Sequence, residues 1–160
     1  MLRLLERLRV MVKNGQVRRV IAFRPARARG AEQIEAGMAE ILQAAAAAGD
    51  MVVAMADNIH AGLQGIAFGT QSYVPAAGRL PRAATLTLNV RGNGGAQWSC
   101  FSLPDNPVSA GAVTCEARDF GPSPEAAPRS VVLDPSPDAR WSGQLNLGSP
   151  TTAALPAKDG

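Results

Sequence analysis

One feature constrains this chain more than any other: a run of apolar positions at helical spacing. From Ile34 the run passes through Met38, Ile41, Ala45, Ala48, Val52, Met55, Ile59 and Gly62 to Ile66, in steps of four and three. Such a seam describes an amphipathic helix or a heptad repeat. A helix from about Ala31 to Gly65 would be roughly 50 Å long. The seam is rich in Ala and Gly, so it buries little area per residue, each CH₂ missing relative to Leu forgoing about 0.8 kcal/mol. Gly37, Gly49 and Gly62 each cost up to ~1 kcal/mol relative to Ala inside a helix. A break at Gly49-Asp50 is therefore compatible with the pattern, leaving one helix or two over residues 31–68. Glu40, Asp50 and Asp57 interrupt the stretch, which excludes a membrane span needing about 18 consecutive apolar residues. An ordinary core helix and a seam for another copy both fit.

Past Phe68 the helical period disappears. Residues 69–84 carry turn-forming residues and read as a loop, and from Ala84 the period becomes two. In "ATLTLNV" the residues Leu86, Leu88 and Val90 share a face. Trp98 and Cys100 do so in "AQWSCFSL", and Val113, Cys115 and Ala117 in "AVTCEAR". "RGNGG" supplies a turn between the first two runs, and "RSVVLD" and "WSGQLNL" suggest two more strands. Pairing Leu103 with Ala112 brings Cys100 opposite Cys115, within the ~4.5–5.5 Å at which a disulfide is possible. Buried free thiols are the alternative. The resulting expectation is an α+β fold: a long Ala-rich helix packed on a four- or five-stranded antiparallel sheet over residues 85–148. A Pro-containing tail, residues 149–160, follows it. In that fold Trp98, Trp141 and the Leu86/Leu88/Val90 stripe meet Ile34, Met38, Ile41, Leu42, Val52 and Met55.

Charge is divided unevenly. Residues 1–29 hold nine basic groups against Glu6 alone, giving +8, whereas residues 30–160 hold seven basic and twelve acidic groups, giving −5. Fourteen of the sixteen cations are Arg, whose planar fork suits carboxylates and phosphates. Residues 1–30 thus form a basic N-terminal arm on an acidic body. Met1, Leu4, Leu5, Leu8 and Val12 recur at helical spacing, while Asn14-Gly15 lies between two β-branched runs and is a strong hairpin signal. A short helix through about Arg9, followed by a hairpin or extended segment, is expected. The start lacks the 7–15-residue apolar core of a secretory signal.

The basic leader ending at Gly30, followed by Ala31 and by Glu35 five residues after the glycine, resembles the processing site of type IV prepilins. A long helix followed by a β region with two cysteines is similar to that architecture. The resemblance implies a pilin-like extracellular fibre subunit. It covers a few positions only, and the chain departs from the pattern at Glu32, Glu40 and Asp50, where those proteins carry an uninterrupted apolar run.

Catalytic signals are sparse. The single histidine, His60, lies three residues after Asp57, and with Cys100 the pair sketches a thiol site, although no spacing brings Cys100 to it. No zinc or calcium ligand spacing is present. "RGNGGAQW" joins two strands, so it is a turn and not a phosphate loop. No cofactor and no enzyme activity are expected.

The expectation is a non-catalytic structural subunit of a larger assembly, such as a virion, a tail or fibre piece, or a multiprotein complex. Its partners would be other protein subunits, including copies of itself. Arg3, Arg7, Arg9, Arg18, Arg19, Arg24, Arg27 and Arg29 are the partner-binding candidates. Nucleic acid, held through the arm's contacts to phosphates, is the second expectation. Oxidation of Cys100 and Cys115 would favour a virion or extracellular particle, and reduction the cytoplasm.

Overall fold

The computed structural model describes residues 2–68, 71–102, 113–136 and 138–153. It has two helices, α1 (Leu2–Lys13) and α2 (Ala31–Ala46), and seven short strands. The strands are β1 (Ile66–Phe68), β2 (Gln71–Tyr73), β3 (Leu88–Arg91), β4 (Gly94–Ser102), β5 (Val113–Pro122), β6 (Ser130–Leu133) and β7 (Gly143–Asn146). They form a two-stranded sheet β1-β2, a three-stranded sheet β3-β7-β6 and a two-stranded ribbon β4-β5. The expected long helix on a four- or five-stranded antiparallel sheet is therefore overturned. The helices are short, no sheet among the described residues exceeds three strands, and β3 runs parallel to β7.

The helix fails beyond Ala46 for local reasons. Gly49 takes φ 79, a left-handed conformation that ends a helix, and its N–H donates back to the Ala46 carbonyl at 2.9 Å. Asp50 is then held from outside by the Arg18 guanidinium, with two contacts of 2.9 Å. Residues 51–57 have no regular secondary structure, so the seam persists in the sequence without persisting in space.

At the N-terminus, α1 continues through Lys13, and Asn14-Gly15 caps it instead of turning a hairpin. The Gln16 N–H donates to the Met11 carbonyl (2.9 Å), the Gly15 N–H to that of Val12 (3.1 Å), and Gly15 has φ 70. These bonds form a Schellman cap, which needs the same left-handed glycine that a hairpin turn would use.

The core is small. Met38 and Ala39 of α2 and Ala76 are buried together, with Phe23, Ile34 and Leu80 packed against them. Pro25 lies over Gly37, close enough that a Cβ on Gly37 would be 2.8 Å from Pro25 Cγ. The expected meeting of the strands with this helix does not occur. Leu86 and Val90 are exposed, and Trp98, on the ribbon, is 41% exposed. Consistent with that position, Trp98→Ala should cost under about 1 kcal/mol in a urea melt, as at other surface sites.

Successive strands β3 and β4 do not pair. Gly94 and Gly95, with φ 83 and 92, turn the chain out of the three-stranded sheet into the ribbon. The ribbon's base is fastened by Thr151, whose N–H donates to the Gly94 carbonyl (2.8 Å) and whose carbonyl accepts from Ala96 N–H (2.9 Å). In the ribbon Cys100 stands directly opposite Cys115. The turn-side pair Leu103 and Ala112 lies outside the described residues.

Candidate functional site

The most concentrated polar chemistry sits between α2 and the two segments that cover it. Glu35 is 1% exposed, and its carboxylate accepts two hydrogen bonds, from His60 Nδ1 at 2.7 Å and from the Ala76 N–H at 2.7 Å. A buried carboxylate is tolerated only when its lone pairs are filled in this way.

The segment around His60 is folded by Asp57. Its Oδ1 accepts the N–H groups of Ile59 (2.9 Å) and His60 (3.1 Å), which is the side-chain-to-backbone turn that Asp favours. Its Oδ2 lies 3.5 Å from His60 Nε2, so the imidazole is flanked by a carboxylate at each nitrogen. The Nδ1–H donates to Glu35, which sets the orientation of the ring and turns Nε2 towards Asp57. Beyond the ring, the His60 carbonyl accepts the Ala77 N–H at 3.1 Å.

Two further contacts bind the loop 74–80 to α2, and a third braces the loop itself. Arg79 donates to Glu32 (2.6 Å) and to the Val74 carbonyl (2.8 Å), and Gln43 donates to the Arg79 carbonyl (3.4 Å). Gly78 allows close approach here, since a Cβ on it would be 2.8 Å from the Leu63 carbonyl oxygen. This unit also meets the three-stranded sheet. Leu63 N–H donates to the Arg140 carbonyl at 2.8 Å, and Trp141 Nε1 to that of Asn58 at 3.3 Å.

Sequence reasoning found Asp57 and His60 as a pair but gave Glu35 no partner in this chain. The available signal was a carboxylate one position from Ile34 and three from Met38, on the arc that the helix must bury, in a chain with one histidine. No hydroxyl or thiol is hydrogen-bonded to His60 among the described residues, and Cys100 belongs to the separate ribbon. The chemistry of the site is positional: one carboxylate joins residues 35, 60 and 76.

The arm divides into two parts. Residues 17–25 are folded back on the body through Arg18 with Asp50, Phe23 in the core and Pro25 over Gly37. Helix α1 is different. On a helical wheel Met11, Leu4, Leu8, Val12 and Leu5 occupy one arc about 120° wide, bordered by Arg7 and Arg3 on one side and Arg9 and Lys13 on the other. Leu4, Leu5, Met11 and Val12 are exposed. Arg9 pairs with Glu6 at 2.7 Å, whereas Arg3, Arg7, Arg19, Arg24, Arg27 and Arg29 are exposed and make no ion pair among the described residues.

The Arg9 guanidinium holds the Glu6 carboxyl below its ordinary range. A depressed carboxyl stabilises the helix above its unfolded pKa, and that support is lost as pH falls through the lowered value. The helicity of α1 should accordingly drop on acid titration in low salt, and the drop should shrink in high salt, where exposed charges are screened. An unchanged circular dichroism signal through that range would count against the pair.

No cluster of three or more His, Cys, Asp or Glu able to hold a metal occurs among the described residues. No helix is long and apolar enough to cross a membrane. No protein-family model matches this chain, and no curated protein or solved structure does.

Proposed function

We propose that this chain is a structural subunit of a larger protein assembly and that α1 is its docking element. The observation that carries the proposal is the apolar arc of α1, left partly open to solvent between two rows of cations among the described residues. Large apolar side chains are exposed elsewhere as well, including Met51, Met55, Phe120 and Leu133, while Met38 is the one large apolar side chain buried among the described residues. Contiguous exposed apolar surface of this kind marks an interaction site. The back-folding of residues 17–25 narrows the expected gripping arm to α1 and the arginines that remain outside.

Light scattering of the full chain beside Leu5→Glu tests the proposal. A charge in the middle of the arc should lower the assembled mass, because a desolvated unpaired carboxylate opposes docking. Equal masses would defeat it. The six unpaired arginines favour a second reading, binding to nucleic acid. That reading requires an affinity that falls steeply with salt, in proportion to the phosphates neutralised.

The bridge between Cys100 and Cys115 belongs to the same proposal, as the mark of an oxidising location such as an extracellular particle or virion. Non-reducing peptide mapping should recover the two linked peptides as one species. Two separate alkylated peptides would remove that location.

A further inference from the structure

Among the unpaired backbone stretches of the described residues, two complement each other. The first is Met51–Ala56, an uncharged run without regular secondary structure whose N–H and C=O groups have no hydrogen-bond partner among the described residues. Its side chains face water, with Met51 91%, Val53 81% and Met55 72% exposed. The run is anchored at both ends, by Arg18 on Asp50 and by the Asp57 turn around His60.

The second is the outer edge of β6. Its inner edge pairs with β7, and the Asp134 N–H continues that ladder to the Ser142 carbonyl at 2.8 Å. Alternation of hydrogen-bonded and non-bonded pairs then directs the backbone groups of Val131 and Leu133 away from β7, to the free edge. Val131, Val132 and Leu133 are all exposed, and the strand contains neither charge nor proline, the devices by which edge strands are ordinarily protected.

From these features we infer that Met51–Ala56 of one copy adds as an antiparallel strand to the β6 edge of a second copy. At about 3.3 Å per residue the run spans roughly 20 Å, more than the four residues of β6 require. Charge sets the register. With Val53 opposite Leu133 and Met55 opposite Val131, Asp57 falls opposite Arg129, which has no ion pair among the described residues. At the other end Asp134 lies towards Asp50, whose charge Arg18 already balances. The donor is held at both ends without pairing to its own β6, so the strand that completes the edge comes from another molecule. Such a contact is head-to-tail and propagates into a ring or a filament. Strand addition supplies affinity through main-chain hydrogen bonds and specificity through alternate side chains.

This inference rests on the proposed self-assembly, and one set of variants separates the two. In the full chain, Val53→Asp and Leu133→Asp should each raise the concentration at half-assembly by at least about tenfold, with far-ultraviolet circular dichroism unchanged, because neither side chain is in the core. Mixing a Val53→Cys copy with an isotope-labelled Leu133→Cys copy under mild oxidation should give the 53–133 cross-linked peptide between labelled and unlabelled chains. Wild-type assembly by both variants, or no such cross-link, overturns strand addition. If Leu5→Glu alone dissociates the assembly, strand addition falls and docking by α1 stands; if Val53→Asp alone does, the reverse holds. A wild-type chain that is monomeric at every concentration defeats both.

Discussion

His60→Ala should destabilise the fold by about 3 kcal/mol, the upper end of the cost of leaving a buried acceptor without its hydrogen-bond donor. The reason lies in what is left behind. Glu35 stays in place at 1% exposure, with the Ala76 N–H as its one remaining donor, and one of its oxygens is left in the core without a hydrogen bond. Glu35→Gln should cost less, about 1 kcal/mol, because a neutral amide keeps an acceptor for Ala76 and is cheaper to bury than a carboxylate. The ordering is the test. Urea melts in which Glu35→Gln is as damaging as His60→Ala would mean that shape, and not the filling of the buried acceptor, holds the three segments together. The core around Met38 and Ala39 is small, so a loss of this size is a large share of the total stability of a domain.

Gly143→Ala should be comparably damaging for a steric reason. Gly143 opens β7, the central strand of the three-stranded sheet, and pairs with Leu88 on one side and Leu133 on the other. A Cβ at this position would overlap the Val132 carbonyl and stand 2.9 Å from Leu133 Cα. Both obstacles are backbone, so no rotamer relieves them, and β6 must move away. A loss of about 3 kcal/mol is expected, at the upper end of overpacking effects. Gly15→Ala is the control. Space around Gly15 is open, and its positive φ alone should cost about 1 kcal/mol. A Gly143→Ala protein melting with the wild type would show that β6 is not seated on β7 as described.

Local signals in this sequence were legible and their three-dimensional use was not. Asn14-Gly15 announced a left-handed glycine, and one is there; whether it caps a helix or turns a hairpin depended on the apolar spacing before it, from Leu4 to Val12. The seam from Ile34 to Ile66 had the right period, but a period requires a surface to lie against, and Gly49 ended the helix before Val52 could use one. Cys100 and Cys115 could be placed opposite each other because register within a ribbon is set by counting. Parallel pairing of β3 with β7, more than fifty residues apart, leaves no trace in spacing. Glu35 was hidden for a related reason: its partners, His60 and Ala76, are distant in sequence, and a carboxylate on an apolar arc looks like an interruption until the group that satisfies it is known.

The bond from the Ala76 amide to Glu35 has a consequence for how the molecule opens. Because that amide is enclosed and tied to a side chain forty-one positions away, its proton can exchange with solvent only when the cover 74–80 lifts from α2. A single isotope-labelled alanine would report the breathing of the 74–80 cover, and its exchange rate would clock the event that uncovers Glu35.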